Sequence, residues 1–195
     1  MQLPDDRMPE AEVSLRLALW LLGQKGCEPR VRVAIDGACV LIAAHRKQGS
    51  EEKEREIFPI EEFLRQGDWR ILPSEGKEPK KPWHGTYEHK HNGYRMTIHS
   101  EGGPDLQTKR SGKLLRVESK GGPLGRKGSP RARLDCAIGQ ALTLEDVMED
   151  EERWVAVPFS SEFEKVCNSV KESAAFCRTG IKLALVHRNG KVTVL

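Results

Sequence analysis

Hydrophobic positions along this chain change period several times, and each change marks an element. In "EAEVSLRLALWLL" (10–22) the apolar residues recur every three or four positions, placing Leu15, Ala18, Leu19 and Leu22 on one stripe. Pro9 ahead of it, two early glutamates and the glycines at 23 and 26 predict a helix with a defined start and stop. In "VRVAIDGACVLIAA" (31–44) β-branched runs flank Asp36-Gly37, a dipeptide suited to a two-residue turn, and predict two antiparallel strands.

Residues 48–56 are densely charged, and "IFPIEEFLRQGDWRIL" then reads as a short amphipathic helix with a strand after it, followed by the solvated loop "PSEGKEPKKP". "YRMTIHS" (94–100) is strand-like, and "DLQTKR" and "KLLRVESK" flank Ser111-Gly112 as a hairpin. A basic Gly- and Pro-rich loop (121–131) leads to the helix "RARLDCAIGQALTLED" and the buried-type strand "WVAVPF" (154–159). "SSEFEKVCNSVKESAAFCRTG" reads as one long helix, serine-capped, with Phe163, Val166, Cys167, Val170, Ala174 and Cys177 on one face. "IKLALVHRNGKVTVL" closes the chain as two strands about Asn189-Gly190. This order predicts a single α/β domain over 1–195, a central mixed β-sheet flanked by helices, with an inserted segment at about 45–93.

Composition narrows what such a domain does. Lys and Arg number 32 against 29 Asp and Glu, so affinity for nucleic acid must come from local clustering rather than the net charge of +3. The five cysteines form no C-x-x-C pair, and the acidic start "MQLPDDRMPE" is unlike a signal sequence, which predicts a reducing, cytoplasmic compartment. The longest apolar run, "LALWLL", is too short to span a bilayer, which predicts a soluble protein with no membrane partner.

The chemistry concentrates in "GGPDLQTKRSGKLLRVESKGG" (102–122). Alternate residues of a strand share a face, so Arg116, Glu118 and Lys120 point one way while Leu115 and Val117 point toward the core. Antiparallel pairing of the two strands brings Asp105 beside Glu118. Two adjacent carboxylates repel unless a cation separates them, and hard oxygen ligands suit Mg²⁺ or Mn²⁺. The plain alternative is a solvated hairpin whose charges pair across the strands.

Pro104-Asp105 followed by Glu118-Ser119-Lys120 resembles the PD-(D/E)XK motif of the restriction-endonuclease-like nucleases. The resemblance implies a restriction-endonuclease-like core and a metal-dependent nuclease hydrolysing phosphodiester bonds, with DNA favoured over RNA by analogy. By position it implies Asp105 and Glu118 as metal ligands, the Ser119 carbonyl as a further ligand, and Lys120 positioning the attacking water. It also implies an acid from the first helix, Glu10 or Glu12, with Glu12 preferred for its deeper place in the helical pattern. Gln140 matches a glutamine found in some branches, although Leu144 stands where those branches carry a tyrosine. Many relatives act as homodimers.

Arg126, Lys127, Arg131 and Arg133 make the loop after Lys120 a candidate nucleic-acid contact, against the alternative of a mobile loop. "KKPWHGTYEHKHNGYR" (80–95) interleaves cations with Trp83, Tyr87 and Tyr94, which either stack bases or cover the core. His84, His89, His91 and His99 match no common zinc spacing and read as surface histidines. Cys136, Cys167 and Cys177 read as core residues. Two other functions compete with the nuclease: a catalytically inactive nucleic-acid-binding module on the same fold, and a protein-interaction component of an assembly.

Overall fold

Strong local signals fix most of the elements, and long-range pairing then arranges them. A computed structural model describes residues 7–35, 41–42, 55–56, 58–73, 79–122, 129–144 and 150–195. In chain order the elements are α1 (Glu10–Leu22), β1 (Arg30–Ala34), β2 (Leu41–Ile42), β3 (Arg55–Glu56), α2 (Ile60–Gln66), β4 (Trp69–Ile71), β5 (Gly85–His89), β6 (Arg95–His99), β7 (Leu106–Arg110), β8 (Lys113–Ser119), α3 (Pro130–Leu142), β9 (Glu152–Pro158), α4 (Ser161–Lys171), α5 (Ala174–Cys177), β10 (Lys182–Val186) and β11 (Val192–Val194). The protein is therefore α/β, with a mixed nine-stranded sheet in the order β11-β10-β9-β8-β7-β1-β6-β5-β4. No helix among the described residues is long and apolar enough to cross a membrane.

The two faces of the sheet carry separate cores. Trp154 and Ala156 of β9 join α1, with Val31, Val33, Leu106, Leu115 and Val117, in one buried cluster. Val155 and Val157 of the same strand face the other way, toward Leu134 and Ala137 of α3 and Phe163 and Cys167 of α4. Alternation along one strand thus serves two helical layers, the arrangement expected of a sheet sandwiched between helices. α1 is buried more widely than its single stripe predicts: Leu17 and Leu21 are buried as well, whereas Leu19 is only partly so.

Two hairpins follow their turn residues. Ser111 (φ 51°) and Gly112 (φ 80°) both lie in the left-handed region and join β7 to β8. Gly190 (φ 84°) does the same between β10 and β11. α3 begins where Ser129 accepts a hydrogen bond from Ala132 N at 3.2 Å and Pro130 fills the first turn.

Three expectations need correction. The predicted hairpin over 31–44 does not form: β1 pairs in parallel with β6 and antiparallel with β7, while β2 pairs with β3. Asp36-Gly37 itself lies outside the described residues. The long helix predicted from Ser160 to Gly180 is two, because the backbone turns extended at Ser173 (ψ 121°). That break leaves Cys177 exposed, and Cys136 is exposed too, so only Cys167 of the three is a core residue. Within the 45–93 segment, β4 and β5 extend the main sheet beyond β6.

Candidate active site

The site stands at the end of the β7–β8 hairpin because their register is fixed. Leu106 pairs with Val117 and Gln107 with Arg116, so one step further places Asp105 opposite Glu118 on the same face. Asp105 is still part of the ladder: its carbonyl accepts from Ala34 N at 2.8 Å, and its Oδ2 accepts from Ser119 N at 2.7 Å. Glu118 is buried, 5% exposed, and its neighbour in the parallel strand is Val155. Lys120 leaves β8 with its backbone N–H donating to Ala156 O at 2.9 Å, and its Nζ lies 3.3 Å from the Glu10 carboxylate.

Close packing of two chain segments makes that last contact. Gly122 N donates to Met8 O at 2.8 Å, which lays the start of α1 against the exit of β8. A Cβ on Gly121 would stand 2.6 Å from Glu10 N and 2.9 Å from Met8 O, so only glycine allows this approach. Arg133 of α3 tightens the junction by donating to Gly121 O at 3.2 Å.

Burial governs the electrostatics. It pushes the Glu118 carboxyl up to about 8, helped by the charge of Asp105 and opposed by Lys120. Burial also raises Asp105, to about 6; the Ser119 N–H and Lys120 pull it down while Glu10 pushes it up. For Lys120 burial acts downward, but Glu10 and Asp105 outweigh it and hold the ammonium above its usual value. The result is two buried carboxyls that ionise late and a lysine that stays charged.

The helix acid in this cluster is Glu10, not Glu12. Glu12 is tied by Arg16 Nε at 2.8 Å and by Arg188 Nε at 3.0 Å in a buried network joining α1 to the β10–β11 hairpin. Depth in the helix selected it from the sequence, but depth here means burial beside two arginines. Gln140 also stands apart, on the exposed side of α3, with Oε1 3.9 Å from Cys136 Sγ. Ser119 is fully buried, and its Oγ has no hydrogen-bond partner among the described residues.

Of the basic loop, Arg126 and Lys127 lie outside the described residues. Arg131 is paired with Asp135 at 2.9 Å, and Arg133 is engaged with Gly121. Trp83 and Tyr87 are buried in the core, 6% and 5% exposed, with Tyr87 Oη donating to Trp83 O at 3.0 Å. They cover the core and are not a stacking platform.

Two carboxylates on adjacent strands suit a magnesium ion, which keeps several waters and takes few protein ligands. Among the described residues no group of three or more His, Cys, Asp or Glu is placed to hold a metal. Burial is the first cause of the late ionisation of both carboxyls, and at Glu118 the charge of Asp105 adds to it. Comparison with protein-family models, with curated proteins and with solved structures gives no match for this chain.

Proposed function

We propose that this protein is a metal-dependent nuclease of the PD-(D/E)XK kind, hydrolysing phosphodiester bonds with DNA as the favoured substrate. The observation that carries the reading is the β7–β8 register, which sets Asp105 opposite Glu118 with Lys120 two residues further on. The order of elements supports it. α1 is followed by β1, β7 and β8, which pair antiparallel in sequence, then by α3 and by β9 parallel to β8, as in a restriction-endonuclease-like core.

Asp105 and Glu118 hold Mg²⁺ or Mn²⁺ in this reading. An ion held there would supply Lewis-acid polarisation of a phosphoryl oxygen and a more acidic bound water. Lys120, kept protonated by Glu10 and Asp105, acts as a fixed positive charge and hydrogen-bond donor toward the developing oxyanion and the water, not as a base. Glu10 replaces Glu12 as the acid that orients it. The Ser119 N–H fixes the Asp105 carboxylate in the strand end.

The test is incubation with supercoiled plasmid, linear duplex and single strands in Mg²⁺, Mn²⁺ or EDTA. Cutting with either ion, none in EDTA, and a loss of about 100-fold or more in Glu118→Ala and Lys120→Ala is the expected result. Equal degradation by parent and variants removes the site from the reaction, and binding without any cutting leaves a nucleic-acid-binding module.

A further inference from the structure

Helices α3 and α4 cover the face of the sheet that carries Asp105 and Glu118 over β8 to β10, but among the described residues no helix packs on that face over β1, β6 and β7. There Arg30, Arg32, Arg95 and Lys109 are all exposed, while Thr97 and Gln107 between them are half-buried. Together they line a groove of about 390 Å³. Register explains why they share a face: Arg30 pairs with Arg95, Arg32 with Thr97 on one side and with Gln107 on the other. Asp105 precedes Gln107 on that face by two residues, about 7 Å along the strand.

We infer that this groove holds one strand of nucleic acid by its phosphates and leads it to Asp105 and Glu118, an inference that rests on the nuclease reading of that site. Charge argues for that occupant: four cations line the groove against a single acid, Glu28. Three of the cations touch carboxylates, Arg32 with Glu101 at 3.4 Å, Arg95 with Glu88 at 3.1 Å and Lys109 with Glu28 at 3.8 Å. Each of these cations is about half exposed, and such pairs exchange readily for phosphate. None of the described lining residues is aromatic, so the backbone is gripped and the bases are not stacked. A recessed floor between exposed cations admits a single chain, whereas a duplex rides over it.

The experiment is fluorescence anisotropy in EDTA with a labelled single-stranded 20-mer of mixed sequence and the matching duplex, across a salt series. The probe variant is Arg30→Ala/Arg32→Ala/Lys109→Ala, and Arg30→Lys/Arg32→Lys keeps the charge. Matching urea midpoints establish that both variants fold. The triple variant is expected to bind the single strand at least tenfold more weakly, with the slope of log K against log salt smaller by about 2, near 0.7 for each phosphate left without its cation. The lysine variant retains binding. Unchanged affinity and slope in the triple variant, or an equal loss for duplex and single strand, overturns the inference. Cleavage read alongside separates the two ideas. Groove-dependent binding by a parent that never cuts ends the catalytic reading alone, and Glu118-dependent cutting with unaltered binding ends the groove alone.

Discussion

Replacing Glu118 with glutamine isolates the cost of a buried carboxylate. In the fold this group ionises near 8, against an ordinary value of 4.5, because burial and Asp105 both oppose its charge. Such a group stabilises the protein fully below the unfolded value and loses that contribution as pH rises through the folded one. Between about pH 4.5 and 8 the protein without metal should therefore lose stability on this account, at up to about 1.4 kcal/mol per pH unit, on the order of 5 kcal/mol in all. Glu118→Gln keeps the shape and carries no titrating proton. Urea midpoints measured in EDTA from pH 5 to 9 should show the variant, in which Asp105 with its carboxyl raised to about 6 still titrates, declining less than the parent, so that the gap between them widens toward alkaline pH. Parallel curves across that range would refute the buried, cation-poor pair. Adding Mg²⁺ should close part of the gap by stabilising the parent only.

Other perturbations separate structure from chemistry. Gly121→Ala drives a methyl group into the start of α1, and urea unfolding should register a loss of about 1–3 kcal/mol; any cleavage should fall with it, because Glu10 is displaced from Lys120. Glu12→Ala removes the carboxylate that Arg16 and Arg188 share at a buried junction, so calorimetry should show a cost of about 3–5 kcal/mol. Restored stability in Glu12→Ala/Arg188→Met would confirm that the cost lies in losing the Glu12–Arg188 pair. Trp83→Ala should lower stability by about 3–5 kcal/mol in the same calorimetric measurement while leaving oligonucleotide affinity within twofold; a large affinity loss at unchanged stability would return that ring to the substrate.

Local features were legible in the sequence and distant ones were not. Ser111-Gly112 specifies its hairpin through the backbone preferences of two residues, Gly190 marks the turn of the other, and the β7–β8 register follows from the first. The partner of β1 is a different matter, because Val31 and Val33 fit either a neighbouring hairpin or a strand far along the chain, where Val31 meets Met96 and Val33 meets Ile98. Pairing with β6 wins by setting Met96 and Ile98 beside them in the core. β5 was missed inside the insertion, although Asn92-Gly93, with Gly93 at φ 69°, marks its turn to β6. Glu10 and Glu12 look alike in sequence, and only Arg188, brought from the far end of the chain, separates them. The groove had one signal, the alternation of arginine and valine in "RVRV" (30–33), which puts two cations on the face opposite the core.

Among the described residues, the nine-stranded sheet ends in three-residue strands on both sides, β4 and β11. So brief a margin offers a second copy of the chain few free amide and carbonyl groups to continue the ladder. Self-association by extending this sheet is thereby discouraged.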